Sequence, residues 1–258
     1  MIHEPSPAAP SQVDGTTRRS TMEIKRLSSA VRFLSVLVVG LAAASASAQT
    51  CRDAVVLVHG NTSYPSDYNN TYNTLISRGY AAGEIFRPSW GSKTCAACND
   101  HSGSEETPVR DAINQALARS CTGKIDVIGH SMGVTLAIKA ILDLGVQSRV
   151  DAFVGLAAGY RGLWTCGTYP LNVVTSTCGY WGLSVKSPFL TGIFGKRMAT
   201  RIYSLKSNSD EIVCATGVCT VNGVHSSQLT NETASYTLSE SHFGLVRNTA
   251  TRQADLIQ

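Results

Sequence analysis

The sequence predicts an α/β fold on a mainly parallel, doubly wound sheet with helices on both faces. Three observations predict it. Short β-branched runs, among them Ala54–Val58, Lys124–Ile128 and Arg149–Leu156, alternate with helical stretches. The first run is apolar at every position, as a strand covered on both faces requires. At Gly129-His130-Ser131-Met132-Gly133 a strand passes through G-x-S-x-G straight into the apolar helix Val134–Leu144. Such a junction strains the serine backbone and turns its hydroxyl outward, with Gly129 and Gly133 leaving room for the bend.

The fold begins late in the chain. Residues 22–48 read as a secretory signal, with Lys25, Arg26 and Arg32 ahead of the apolar run Phe33–Leu41 and a small-residue cleavage site at Ala46-Ser47-Ala48. The run is too short to anchor the chain in a membrane. Residues 1–21 are polar and read as an over-extended start ahead of Met22. Cleavage near Ala48 leaves 49–258, the length of one α/β domain. The whole chain carries +4, of which five Lys/Arg and three Asp/Glu in residues 1–48 supply +2. With only +2 left and no basic cluster, nucleic acid is excluded as a partner.

In the 49–258 part, Asp67–Ser77 is read as a helix closed by Gly79, and Tyr80–Phe86 as a second strand. Residues 92–104 are a polar loop, followed by a helix with Thr107 as cap, Pro108 at its first position and Ile113 and Leu117 on one face. After Arg149–Leu156 the alternation breaks. Residues 159–199 hold Trp164, Tyr169, Tyr180, Trp181, Phe189 and Phe194, and read either as a cap over a site or as a disulfide-closed surface loop with a short helix. Thr200–Leu205 is the next strand, then a polar stretch whose only strand-like apolar positions are Val221 and Val224, and last a terminal helix from His242. There are no repeats and no domain linker.

All eight cysteines, Cys51, Cys95, Cys98, Cys121, Cys166, Cys178, Cys214 and Cys219, follow the signal, which points to disulfides in an oxidising compartment. Cys95-Ala-Ala-Cys98 also has the form of a redox pair or half a metal site. It lacks a thioredoxin-like context, and Cys214–Cys219 has the wrong spacing for a second ligand pair. No metal or cofactor is called for.

A serine hydroxyl is a weak nucleophile until a base takes its proton, and the base needs an acid to fix its tautomer. On a strand-elbow-helix frame the order is Ser, acid, His. Only His225 and His242 come late enough in the chain, and His242, opening the terminal helix, is preferred; His225 is read as a solvated loop residue. Asp210 follows a strand and is the candidate acid. Glu211 beside it is expected to point elsewhere, and Asp151 starts a strand at the wrong edge. A tetrahedral oxyanion needs two N–H donors, for which the amides of Met132 and Asn61 are the candidates. Asn61-Thr62-Ser63 matches a glycan acceptor, but a glycan there would block that donor.

Val58-His59-Gly60-Asn61, Tyr80 through Trp90-Gly91, Asp126 through Val134, Ser209–Val213 and His242–Leu245 together resemble the class 2 triacylglycerol lipase family of the α/β-hydrolase superfamily. The resemblance implies an α/β-hydrolase fold, a Ser131-Asp210-His242 triad and oxyanion amides at Asn61 and Met132. Val134 stands where many members have glycine, and 159–199 is long beside the smallest members. In that fold the strands after Cys51 and Cys121 are neighbours, which implies a Cys51–Cys121 bridge, with Cys166–Cys178, Cys214–Cys219 and Cys95–Cys98 local.

The expectation is a secreted, monomeric serine ester hydrolase acting on acylglycerols or similar apolar esters, met at an interface, through an acyl-enzyme. A polyester (polyhydroxyalkanoate-type) depolymerase or an acyltransferase would use the same groups. A non-catalytic binding protein on this fold would be expected to lack one of the three.

Overall fold

Ala54–Val58 (β1) is buried throughout, and its side chains divide by parity: Ala54, Val56 and Val58 join one apolar core, Val55 and Leu57 another. A strand with no polar face fits only the interior of a sheet covered on both sides. The computed structural model describes residues 50–171 and 173–258. The secretory signal and the over-extended start read from the sequence lie outside the described residues.

In chain order the further strands are Ile85–Phe86 (β2), Ile125–His130 (β3), Val150–Leu156 (β4), Leu163–Thr168 (β5), Ser184–Val185 (β6), Arg201–Ser207 (β7), Thr220–Val221 (β8), Val224–His225 (β9) and Ala234–Leu238 (β10). Six of them form the main sheet in the order β10-β7-β4-β3-β1-β2, every neighbouring pair parallel. The helices are Asn69–Ser77 (α1), Glu106–Arg119 (α2), Met132–Leu144 (α3), Pro188–Ile193 (α4), His242–Arg247 (α5) and Ala250–Leu256 (α6). Val109, Ile113 and Leu117 of α2 and Leu136, Ile138 and Ile141 of α3 cover one face. Leu75 of α1, Leu245 and Val246 of α5 and Ala254 of α6 cover the other. The chain stops α3 at Gly145, which takes a left-handed φ of 67°.

Several elements differ from the sequence reading. The second strand shrinks to β2, because Ala82–Glu84 form a 3-10 turn in which the Glu84 carboxylate accepts the Ala81 amide at 2.7 Å. α2 begins at Glu106, so Thr107 does not cap it; its hydroxyl donates back to the Gly103 carbonyl at 3.1 Å. Val221 and Val224 pair in a two-residue hairpin. The terminal helix is two helices, broken at Asn248 and Thr249.

Residues 159–199 build the parallel pair β5 and β6, the short helix α4 and the Cys166–Cys178 bridge. Leu163, Leu183, Phe189, Leu190 and Ile193 sink into the core on the α3 side of the sheet. The other bridges are Cys51–Cys121, Cys95–Cys98 and Cys214–Cys219. Cys51–Cys121 spans a sequence separation of 70 and ties together the entries of the adjacent strands β1 and β3. Closing a loop of that size is worth about 4 kcal/mol of unfolded-state entropy. Among the described residues no helix is long and apolar enough to cross a membrane.

Candidate active site

The register of the sheet lines up its carboxyl ends. Val58 lies beside Gly129, His130 beside Leu156, Leu156 beside Leu205, and Ser207 beside Leu238. Asn61, Ser131, Asp210 and His242 each follow one of these strand ends by a few residues, so all four lie at one edge, the edge where sites form in parallel sheets.

Ser131 joins β3 to α3 at φ 55° and ψ −129°, a left-handed backbone that a non-glycine residue adopts only under constraint. Its amide donates to the Leu156 carbonyl at 2.8 Å, and its carbonyl accepts from the Val134 amide at 3.1 Å. The flanking glycines are sterically required. A Cβ on Gly133 would lie 2.1 Å from the His59 carbonyl oxygen, and one on Gly129 2.8 Å from Val134 Cα. Gly60 is pressed against the same bend, since a Cβ there would lie 3.0 Å from that of Ser131. Asn61 is therefore carried in beside the serine. Met132 is the first residue of α3, where a helix leaves its amides without internal acceptors. Among the described residues no acceptor takes the Asn61 or Met132 N–H.

Ser241 caps α5 by accepting the Gly244 amide at 3.0 Å, which sets His242 on the first turn. The His242 Nδ1–H donates to both oxygens of Asp210, at 2.8 and 2.9 Å. Burial raises the Asp210 carboxyl, but the hydrogen bond from His242 and the amides of Val213 and Ile212 outweigh it and hold the group low. An anionic Asp210 on Nδ1 leaves Nε2 of His242 as the proton acceptor. His242 in turn is tied to the serine's neighbour. His130 Nε2–H donates to the His242 carbonyl at 3.0 Å, and the two rings lie 4.7 Å apart. Burial, then the adjacent His242, lowers the His130 pKa to about 3, so it stays neutral.

Two sequence readings change. His225 is not solvated: it is buried, donates from Nε2 to the Ser207 carbonyl at 3.1 Å and accepts the Ser227 amide on Nδ1 at 3.1 Å. Nε2 fastens the polar loop to the end of β7, and Nδ1 braces the loop on itself. Glu211 does not point away from the site, since its carboxylate accepts the backbone N–H of His242 at 2.8 Å. The sequence shows no signal for that contact, because it joins residues on separate loops. His59, too early in the chain to serve as the base, braces the Asn61 loop. Its Nδ1–H donates to the Gly60 carbonyl at 2.8 Å, and its Nε2 accepts from the Lys93 ammonium and the Trp90 amide at 2.8 and 3.2 Å. Burial takes its pKa down to about 4.

Among the described residues, two clusters have metal-ligand composition. Cys214, Cys219 and His225 lie close together, but both sulfurs are joined to each other. Asp53, Asp126 and Asp151 converge at the opposite, amino edge of the sheet, where Arg201 and Lys124 pair with Asp151. Neither cluster includes Ser131, Asp210 or His242.

A family model described as Lipase (class 2) matches residues 52–255. No curated protein matches the chain. Among solved structures, the Bacillus licheniformis lipase BlEst2 is similar in its propeptide form at TM-score 0.59 and 12% identity, over 81% of this chain and 51% of that one. Its mature form aligns at TM-score 0.55 and 14% identity, over 80% and 91%. Aspergillus fumigatus lipase B aligns at 0.52 and 18%, over 76% of this chain and 49% of that one. The chain thus spans about half the length of lipase B and of the propeptide form. At these identities the likeness carries the fold, an α/β hydrolase.

Proposed function

The chain belongs to the class 2 lipase family, and on that premise we propose that it is a secreted hydrolase of apolar carboxylic esters working through Ser131, His242 and Asp210. The observation that carries this reading is the double contact of His242 Nδ1 with Asp210, at 2.8 and 2.9 Å, on the edge where Ser131 is held at φ 55°. Ser131 Oγ attacks the ester carbonyl while His242 Nε2 takes its proton. The oxyanion accepts hydrogen bonds from the Asn61 and Met132 amides, which have no other acceptor among the described residues. The intermediate collapses, the alcohol leaves with the proton from Nε2, and the acyl group stays on Ser131. His242 then deprotonates a water that attacks the acyl-enzyme, and the carboxylic acid departs.

Trp164, Leu171, Val174, Tyr180 and Trp181 of the 159–199 segment are exposed, which supports an apolar ester met at an interface, such as an acylglycerol. Four disulfides and no free cysteine among the described residues support folding in an oxidising compartment. The test is turnover of short and long p-nitrophenyl esters, tributyrin, triolein and polyhydroxybutyrate, with fluorophosphonate labelling. Ser131→Ala is expected to lose both turnover and label; full turnover by that variant removes the mechanism.

A further inference from the structure

The turn closed by Cys95 and Cys98 has no part in the chemistry above, yet it grips the side chain of Asn61 from both ends. Asn61 Nδ2 donates to the Ala96 carbonyl at 2.9 Å, and Asn61 Oδ1 accepts from Asn99 Nδ2 at 2.6 Å. Asn99 is 1% exposed. Its Oδ1 accepts the Ser92 amide at 2.7 Å, and its Nδ2 also donates to the Ser92 carbonyl at 2.9 Å. With every polar atom of the carboxamide engaged, the orientation of Asn99 is determined. Gly91, at φ 64°, accommodates it, since a Cβ there would lie 2.7 Å from Asn99 Oδ1. From behind, the Thr177 hydroxyl contacts the carbonyls of Ala96 and Asn99, both at 2.5 Å. Thr177 itself precedes the bridged Cys178.

We propose that Asn99, carried by the Cys95–Cys98 turn, is a positioning residue that fixes the Asn61 amide as an oxyanion donor. The proposal rests on the hydrolase reading given above. The physical need is local. Asn61 sits between Gly60 and Thr62, and Thr62 is held at a left-handed φ of 52°. The loop's own backbone supplies one long bond, from the Ser63 amide to the Gly60 carbonyl at 3.3 Å. A donor helps the transition state only when its direction is set before charge develops, and an error of about 1 Å costs up to about 100-fold in rate. The side chain of Asn61 is the handle, and Asn99 holds it.

The test is a mutant cycle on the full chain: Asn99→Ala, Asn99→Asp, Asn61→Ala and Asn61→Ala with Asn99→Ala. Each is assayed for kcat and KM on p-nitrophenyl butyrate and for affinity to an alkyl boronic acid, which mimics the tetrahedral adduct. Asn99→Asp keeps the acceptor for Ser92 but removes the donor to Asn61. The expected result is a fall in kcat of about 10-fold in each single variant, KM within about twofold, and boronate binding weakened by the same factor as kcat. Adding Asn99→Ala to Asn61→Ala is expected to lose nothing more, which a purely structural role would not produce. Should the Asn99 variants fail to fold, Asn61→Ala breaks the same contacts from the half-buried side, and an unchanged kcat there overturns the proposal. So does an unchanged kcat in folded Asn99 variants, or losses that multiply, when Ser131→Ala is inactive. An active Ser131→Ala removes the hydrolase reading, and this proposal with it.

Discussion

His130 Nε2–H donates to the carbonyl of His242 at 3.0 Å, so the residue just before Ser131 is fastened to the residue that carries the proposed base. The two ends of the proposed proton transfer thus share a rigid connection through main chain and ring. His130→Phe keeps a planar ring but leaves that buried carbonyl without its donor. The expected loss is about 1–2 kcal/mol of stability and about 10-fold in kcat with little change in KM. Chemical denaturation and steady-state kinetics measure the two. Wild-type kinetics in the variant would mean that the connection does not position the base.

Asp210→Asn tests the tautomer argument. The amide keeps an oxygen for the Ile212 and Val213 N–H groups, so the loop is expected to stay folded. It no longer presents an anion to His242 Nδ1, and in a triad of this kind that costs about 10⁴-fold in kcat. Glu211→Gln, which retains an acceptor for the His242 amide, is expected to lose less than about 10-fold. If the two variants lost activity equally, Asp210 would have no special claim to the acid role.

How much of this was legible in the sequence follows from how local each signal is. The elbow was readable because strand, G-x-S-x-G and helix are contiguous, and glycine is demanded at Gly129 and Gly133 by atoms of Val134 and His59. Chain order singled out Asp210 and His242 as candidates, and their side chains meet at 2.8 and 2.9 Å. β10 was not, because Ala234–Leu238 is an edge strand, partly exposed along its length, and lacks the apolar run that marks β1. His225 and Glu211 were misjudged for a related reason. Whether a polar side chain is solvated or bonded depends on which loop lies opposite, and Ser207 and His242 are far from them in sequence.

Three buried histidines make the fold acid-labile. Burial lowers the pKa of His59 and His101 to about 4, and of His130 to about 3. A histidine kept neutral in the folded chain is protonated first in the unfolded chain. The contribution of these histidines is therefore fully present above the ordinary value of 6.5 and is lost as pH drops through the folded values. At pH 4.5 the three together are expected to remove a few kcal/mol, a substantial share of the 5–15 kcal/mol that ordinarily holds a domain together. Calorimetry is expected to show Tm at least about 10 °C lower at pH 4.5 than at pH 7.5. His130→Phe should shrink that difference. A Tm independent of pH over this window would mean that these rings are not neutral in the folded state.

Asp126 works in the opposite direction. Its Oδ1 accepts the Ala152 amide at 3.0 Å, but its Oδ2 is buried without a partner, with Asp53 and Asp151 in the same cluster. Burial, and then the charge of Asp53, drives its pKa well above the ordinary 3.8. For a carboxyl raised in this way, stability is full below the ordinary value and lost as pH rises toward the folded one. At neutral pH Asp126 is therefore a liability. Asp126→Asn retains the acceptor for Ala152 and offers an N–H₂ to the neighbouring carboxylates. It is expected to raise Tm by about 2–4 °C at pH 7.5, roughly 1 kcal/mol, and by less at pH 4. Asp126 enters β3 five residues before Ser131, about 16 Å along an extended strand, so kcat should not change. A lower Tm at pH 7.5 would show that the unpaired carboxylate is stabilising, and the burial argument for this cluster would fail.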